Sequence, residues 1–110
     1  MKLPNADGAI IAEDKLCAYL LNVAHRRGGS KAKMLLSMGY TAEAWQRLEA
    51  DIRLSHLPAE VVRQVDTEYG KRYEIVGPLP GVGGRPAVFR SVWQVDTGTD
   101  YPRLLTMYPE

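Results

Sequence analysis

Cysteine is almost missing from this chain. Cys17 stands alone among 110 residues, which excludes an internal disulfide and any metal site built from several thiolates. With Leu16 beside it and Leu20-Leu21 close behind, it reads as a small buried apolar residue rather than a reactive thiol. Long apolar runs are missing too, and nothing approaches the roughly 20 residues that cross a bilayer. The start, Met1-Lys2-Leu3-Pro4-Asn5-Ala6-Asp7, has no apolar signal core, so the expectation is a cytoplasmic protein with no membrane partner. Histidine is scarce. His25 and His56 share no ligand spacing with each other or with Cys17, and no carboxylate cluster accompanies either. The expected site therefore uses no metal and no cofactor. Gly81-Val82-Gly83-Gly84-Arg85 has glycines but lacks the lysine and Ser/Thr ending of a phosphate-binding loop, and it precedes a strand rather than a helix.

Acid is also missing from one long stretch. Between Lys15 and Ala42 there is no Asp or Glu, while Lys15, Arg26, Arg27, Lys31 and Lys33 add positive charge beside the imidazole of His25. A formal net charge of +1 thus hides a polarised chain, and any binding of a polyanion would fall to this local patch. Gly28-Gly29-Ser30 reads as a turn feeding a helix, with Ser30 as N-cap; free amides at such an end suit an anion. The same segment equally fits a solvated basic loop between two helices.

What is present is ordinary globular material: 45% hydrophobic and 25% charged residues, enough for one modest core. Residues 1–12 read as an extended lead-in anchored by Ala9-Ile10-Ile11. Leu16, Tyr19, Leu20 and Val23 recur at helical spacing and predict a helix over 13–22. A second helix is predicted over 30–38, ended by Gly39. A third begins at Thr41, runs about 14 residues with Trp45, Leu48 and Ile52 as its apolar stripe, and closes before Pro58. His56, at that helix end, reads as a C-terminal cap partner, and both tryptophans read as core. Beyond Pro58 the period shortens to that of strands, predicted over 61–69, 71–77, 85–96 and 103–108. Phe89, Ser91, Trp93 and Val95 should share one face of the third strand, with Val88, Arg90, Val92 and Gln94 on the other. In the fourth, Leu105 and Met107 should oppose Leu104, Thr106 and Tyr108. Short connections favour an antiparallel meander, so the predicted fold is α+β: two to three N-terminal helices, about 13–55, packed on a four-stranded antiparallel sheet, about 61–108, in a single domain spanning 1–110.

The polar residues left over suit phosphodiester cleavage without a metal. Such chemistry needs a base for the ribose 2′-hydroxyl, an acid for the leaving oxygen, and cations for charge developing on phosphorus. His25 has a suitable proton affinity. Lys31, Lys33, Arg90 or Arg103 would stabilise the charge, and Thr106 and Tyr108, two apart on one strand, would bind phosphate or orient the hydroxyl. Arg26, Arg27, Lys33 and Arg103 complete a candidate RNA-binding set. Each also has a plainer reading: His25 in solvent, Thr106 and Tyr108 as ordinary strand formers, Arg90 as a solvated face residue.

Separated pieces of the chain resemble one small bacterial domain family of unassigned or toxin-associated function. They are Leu3-Pro4-Asn5-Ala6; Tyr19-Leu20-Leu21-Asn22 followed by His25, Gly28-Gly29 and Lys31-Ala32-Lys33; Gly39-Tyr40; Tyr69-Gly70 with Arg72-Tyr73; and Val92-Trp93 through Pro102-Arg103-Leu104 to Thr106 and Tyr108. Members of that family resemble stand-alone proteins of toxin–antitoxin-type gene pairs and the C-terminal tips of contact-dependent or polymorphic toxins. The predicted order, helices and then a four-stranded sheet, also looks like the barnase, EndoU, colicin and RelE group of metal-independent ribonucleases. The resemblance implies an RNA substrate, a small antitoxin or immunity protein as partner, a polar box at His25 and Lys31, and strand positions at Arg90, Thr106 and Tyr108. Two departures stand out. Arg90-Ser91 replaces the more usual Arg-Thr, and Arg26-Arg27 stands where a proline often follows the histidine. Two functions remain open from the sequence: a ribonuclease toxin, and a non-catalytic module (antitoxin, immunity or adaptor protein) that uses the same basic face to hold an acidic protein.

Overall fold

The computed structural model describes residues 1–22, 24 and 29–110, with the backbone alone for 29–31. It has the predicted α+β architecture. Four strands, β1 (Val61–Thr67), β2 (Gly70–Leu79), β3 (Ala87–Asp96) and β4 (Arg103–Pro109), pair in sequence order, and every pairing is antiparallel. The meander follows from short connections, since a two-residue turn leaves the chain no route to a parallel neighbour. Gly70 makes the first turn possible: its φ is 140°, and a Cβ there would fall 2.1 Å from the Val95 carbonyl oxygen.

Alternation along β2 and most of β3 sorts the two faces as predicted, whereas near the end of β3 Gln94, expected on the outer face, is buried and Val95, expected in the core, is half-buried. Tyr73, Ile75, Leu79, Phe89 and Trp93 are buried, whereas Arg72, Glu74, Val76, Arg90 and Val92 are only half-buried. Helices cover the buried face. A π-helix, Lys15–Leu20, supplies Leu16 and Leu20; α1 (Gly29–Ser37) supplies Leu35; α2 (Trp45–Asp51) supplies Leu48 and runs on as a second π-helix, Ile52–His56. Trp45 is half-buried against this core and Trp93 lies fully within it. Burying each such leucine removes enough apolar area to contribute roughly 2 kcal/mol.

The lead-in does tuck against the core. Leu3, Ala9 and Ile11 are buried, and Ile10 makes a parallel bridge to Arg103 beside β4. Four details differ from the sequence reading. The lead-in is not extended throughout, since Ala6–Gly8 wind as a 3-10 turn. The first helix is helical from Glu13, but its main part winds as a π-helix. The third helix starts at Trp45 rather than Thr41, because residues 41–44 form a turn in which the Ala44 amide donates to Thr41 Oγ1 at 3.2 Å. The alternation of β4 breaks at a bulge: Val92 pairs with Thr106 while Trp93 pairs with Leu104, leaving Leu105 as the extra residue. Leu104 and Met107 therefore both face the core, Leu105 is half-buried, and Thr106 and Tyr108 keep the opposite face.

Candidate active site on the open sheet face

Strand register brings three of the predicted catalytic residues together. Arg90 of β3 stands directly opposite Tyr108 of β4, and Val92, two residues on, stands opposite Thr106. Directly paired residues project from the same side of a sheet, so Arg90, Thr106 and Tyr108 share the face turned away from the core.

Arg90 is not an idle cation. Its Nη1 donates to Glu74 Oε1 at 2.7 Å, and its Nε and Nη2 donate to the two carboxylate oxygens of Glu110, each at 3.0 Å. These bonds raise the guanidinium pKa further and hold the Glu110 carboxyl below the usual carboxylate range. Arg63 reaches the other oxygen of Glu74 at 3.5 Å, so a row of alternating charge crosses β1, β2 and β3 and ends on Glu110, just past β4. A second row lies beside it. Arg72 Nη2 donates to Gln94 Oε1 at 3.1 Å, Gln94 Nε2 donates to Asp96 Oδ1 at 2.8 Å, and Arg103 donates through Nε to Asp96 Oδ2 at 2.7 Å and through Nη2 to Oδ1 at 3.2 Å. Arg103, predicted to bind RNA, thus holds a carboxylate in bidentate fashion, and its bonds together with that of Gln94 lower the Asp96 pKa. Within this row Arg72 Nε is buried without a hydrogen-bond partner among the described residues.

The edge of the site adds a residue the sequence reading missed. Tyr19, on the π-helix that packs against β4, places its hydroxyl 3.3 Å from Thr106 Oγ1. The Lys15 ammonium sits 5.0 Å from the centre of the Tyr19 ring, a cation–π contact. Three hydroxyls, those of Tyr19, Thr106 and Tyr108, and Arg90 therefore border one strip of β4, with Lys15 over the Tyr19 ring. Helical periodicity marks Tyr19 only as core-facing; a pairing of β4 with this helix is needed to see it otherwise.

His25, Arg26 and Arg27 lie outside the described residues, as does the side chain of Lys31; Lys33 is exposed on α1. His25 follows Tyr19 by six residues in the chain.

The second histidine corrects its predicted role. His56 is 0% exposed rather than a partner for helix-end carbonyls. Its Nδ1 lies 3.1 Å from the Gly77 carbonyl oxygen and its Nε2 2.6 Å from Ser91 Oγ, which also accepts Trp93 Nε1–H at 2.7 Å. A carbonyl can only accept, so Nδ1 carries the proton and Nε2 accepts from Ser91. Burial lowers the His56 pKa to about 4. This serine–histidine pair is sealed in the core and has no access to substrate. Elsewhere, Tyr40 donates to Asp51 Oδ2 at 2.7 Å and accepts the Gly81 amide at 3.1 Å, tying α2 to the glycine-rich connection after β2.

Among the described residues no group of three or more His, Cys, Asp or Glu is arranged to hold a metal, and no helix is long and apolar enough to cross a membrane. A cleft of about 530 Å³ is lined by Lys2, Ala6, Asp7, Arg53, Leu57 and Pro58. Among the described residues, none of the candidates borders it. Lys2 is bound there to Glu60 and the Pro58 carbonyl, and Arg53 to Glu49 and the Ala9 carbonyl.

The fold has a structural relative. A chain of the contact-dependent growth inhibition toxin–immunity protein complex from Klebsiella pneumoniae 342 superimposes with a TM-score of 0.67 at 15% identity, over 92% of this chain and 99% of that one. At this identity the likeness concerns the fold. No curated protein matches the chain in sequence. A family model, by contrast, matches residues 2–110, nearly the whole length, and the chain belongs to that family: DUF6883, a domain of unknown function.

Proposed function

We propose that this chain is a metal-independent ribonuclease toxin of the cytoplasm, neutralised by a small antitoxin or immunity protein. The observation that carries the reading is the shared face of Arg90, Thr106 and Tyr108, met at its edge by the Tyr19 hydroxyl. Hydroxyls and a guanidinium on the sheet face turned away from the core match what a ribose phosphate presents: two oxygens sharing one negative charge and a neighbouring 2′-hydroxyl. Fold likeness to a chain of a toxin–immunity complex supports the toxin context.

In this mechanism a base removes the 2′-hydroxyl proton, the freed oxygen attacks phosphorus, and the bond from phosphorus to the 5′-oxygen breaks as that oxygen takes up a proton. The products are a 2′,3′-cyclic phosphate and a 5′-hydroxyl. His25 carries a proton, Lys31 and Arg90 offset charge on the phosphorane, and Thr106 and Tyr108 orient the 2′-hydroxyl and the phosphate. Arg26, Arg27, Lys33 and Arg103 hold the flanking backbone.

The test is incubation of purified protein with total cellular RNA in EDTA, beside His25→Ala and Thr106→Ala. Discrete fragments ending in cyclic phosphate, lost in both variants, are expected. Intact RNA at high protein concentration would sink the reading.

A second reading, a non-catalytic module that binds an acidic protein, draws on a different observation: Arg90 and Arg103 are already neutralised, by Glu74 and Glu110 and by Asp96. It predicts harmless expression and a partner complex weakened by Arg26→Glu with Arg27→Glu. Growth arrest relieved by His25→Ala would decide against it.

A further inference from the structure

The two carboxylates on Arg90 are held very differently. Glu74 is 13% exposed and wedged between Arg63 and Arg90 on the sheet. Glu110 is 38% exposed and lies just past the end of β4, anchored by its own amide, which donates to the Val88 carbonyl at 3.0 Å. Rotation about side-chain bonds alone can lift its carboxylate away while the backbone stays paired. Glu74 has no such freedom.

What Glu110 covers is the Nε–Nη2 edge of the guanidinium, the fork whose two parallel N–H groups match two oxygens of a carboxylate or a phosphate. Arg90 stands on the face turned away from the core, directly across the ladder from Tyr108 and two pairs along it from Thr106.

We infer that the Nε–Nη2 edge of Arg90 is a phosphodiester-binding subsite that Glu110 occupies in the free protein, its carboxylate standing in for the phosphate and leaving when a nucleic-acid backbone binds. The inference rests on the ribonuclease reading for the identity of the ligand. One monoanion replaces another on the same fork, so the guanidinium stays neutralised throughout and Glu74 stays in place. Released, the Glu110 carboxylate and the incoming phosphate repel each other, which keeps the exchange reversible and lets the side chain set the affinity of the site. Arg90 serves as phosphate ligand and Glu110 as its competitor.

The experiment is fluorescence anisotropy with a fluorescein-labelled 2′-O-methyl oligoribonucleotide, a probe that 2′-attack cannot cleave, so binding is read apart from catalysis. Glu110→Gln is expected to bind about fivefold tighter than the parent, and Glu43→Gln, which removes an equal charge elsewhere, to stay within about twofold. Arg90→Ala should weaken binding about tenfold, and Glu110→Gln should add nothing in that background. Arg90→Lys keeps the charge without the fork and should bind nearly as poorly as Arg90→Ala. Equal gains from Glu110→Gln and Glu43→Gln would overturn the inference. So would a gain that survives Arg90→Ala, or the lack of any binding across the set. RNA cleavage by a protein that fails these tests would leave the ribonuclease reading standing without the exchange; binding that passes them without cleavage would do the reverse.

Discussion

His56 Nε2 lies 2.6 Å from Ser91 Oγ in the closed core, and the serine is the centre of a directed chain of hydrogen bonds: Trp93 Nε1–H to Ser91, Ser91 Oγ–H to His56, and His56 Nδ1–H to the Gly77 carbonyl. All four groups are satisfied and each bond has one possible direction. Gly77 has a second part in this. A Cβ there would stand 2.8 Å from the Ala59 Cβ and 3.2 Å from the His56 carbonyl oxygen, so the bare glycine lets the helix end approach β2 closely enough for the imidazole to reach both strands.

This network makes stability depend on pH through His56. Its folded pKa, about 4, lies below the ordinary value of 6.5. Between those values the unfolded chain binds a proton that the folded chain does not, so the contribution is complete above pH 6.5 and is lost as pH falls toward 4. The full loss is about 3 kcal/mol. Urea denaturation at pH 7 and pH 4.5 should show it, with most of the His56 part absent in His56→Gln. The exposed carboxylates of Glu60, Asp96 and Glu110, with lowered pKa values, weaken the protein in acid too, which is why the difference between parent and variant is the quantity to read. An unchanged pH dependence in His56→Gln would contradict the sealed, neutral imidazole.

Sequence patterns reached the layers of this fold more easily than its site. Alternation through Tyr73, Ile75, Phe89 and Trp93 is a local property, and it identified the core face of β2 and β3 because hydrophobic burial acts on every second residue. The bulge at Leu105 was invisible, since nothing in Leu104-Leu105-Thr106 says that two residues will face one. Arg90 beside Thr106 and Tyr108 followed from period-two logic on neighbouring strands. The carboxylates that occupy Arg90 did not, because Glu74 and Glu110 lie 16 and 20 residues away and their meeting depends on register. His56 misled for a related reason: a histidine before a helix-ending proline has a ready local explanation, and only the approach of β2 and β3 supplies the real one.

Gly70→Ala should destabilise the sheet more than an ordinary surface substitution. The added methyl meets the Val95 oxygen at 2.1 Å and the Thr97 nitrogen at 2.9 Å, both backbone atoms, at a φ of 140° that alanine disfavours. A loss of about 2 kcal/mol or more is expected, read as a lower thermal midpoint. Gly83→Ala is the comparison, since its Cβ would meet nothing within 4 Å; equal midpoints for the two variants would refute the account of the turn.

Tyr40→Phe removes a hydroxyl that is both donor and acceptor in a buried place. Among the described residues Asp51, 8% exposed, would keep Arg47 alone, whose Nε donates at 3.1 Å, and the Gly81 amide would lose the Tyr40 hydroxyl as acceptor. Burial and the bond to Asp51 push the Tyr40 pKa well above that of a free phenol, so the hydroxyl keeps its proton across the neutral range. The expected cost is about 2 kcal/mol in denaturant unfolding, with faster amide exchange at Gly81 and at Val82, whose amide donates to the Met38 carbonyl at 2.8 Å. Protection at both amides equal to the parent's would show that the hydroxyl does not hold this connection.

Thr106→Val separates the chemistry of the open face from its architecture. Valine matches threonine in shape and suits a strand, so the bulge at Leu105 and the pairing with Val92 should persist. The variant loses one atom group, the hydroxyl that meets Tyr19 at 3.3 Å and would orient the ribose. Under the ribonuclease reading cleavage should fall about 100-fold or more, while binding of the 2′-O-methyl oligonucleotide changes little, because the phosphate contact belongs to Arg90. Tyr19→Phe tests the neighbouring group: it leaves the ring beneath Lys15 in place and removes the phenol alone. Cleavage reduced in both variants, with thermal midpoints near the parent's, assigns the two hydroxyls to one reacting centre. Undiminished cleavage by Thr106→Val would move that centre off β4 and leave the basic segment around His25 to be explained without it.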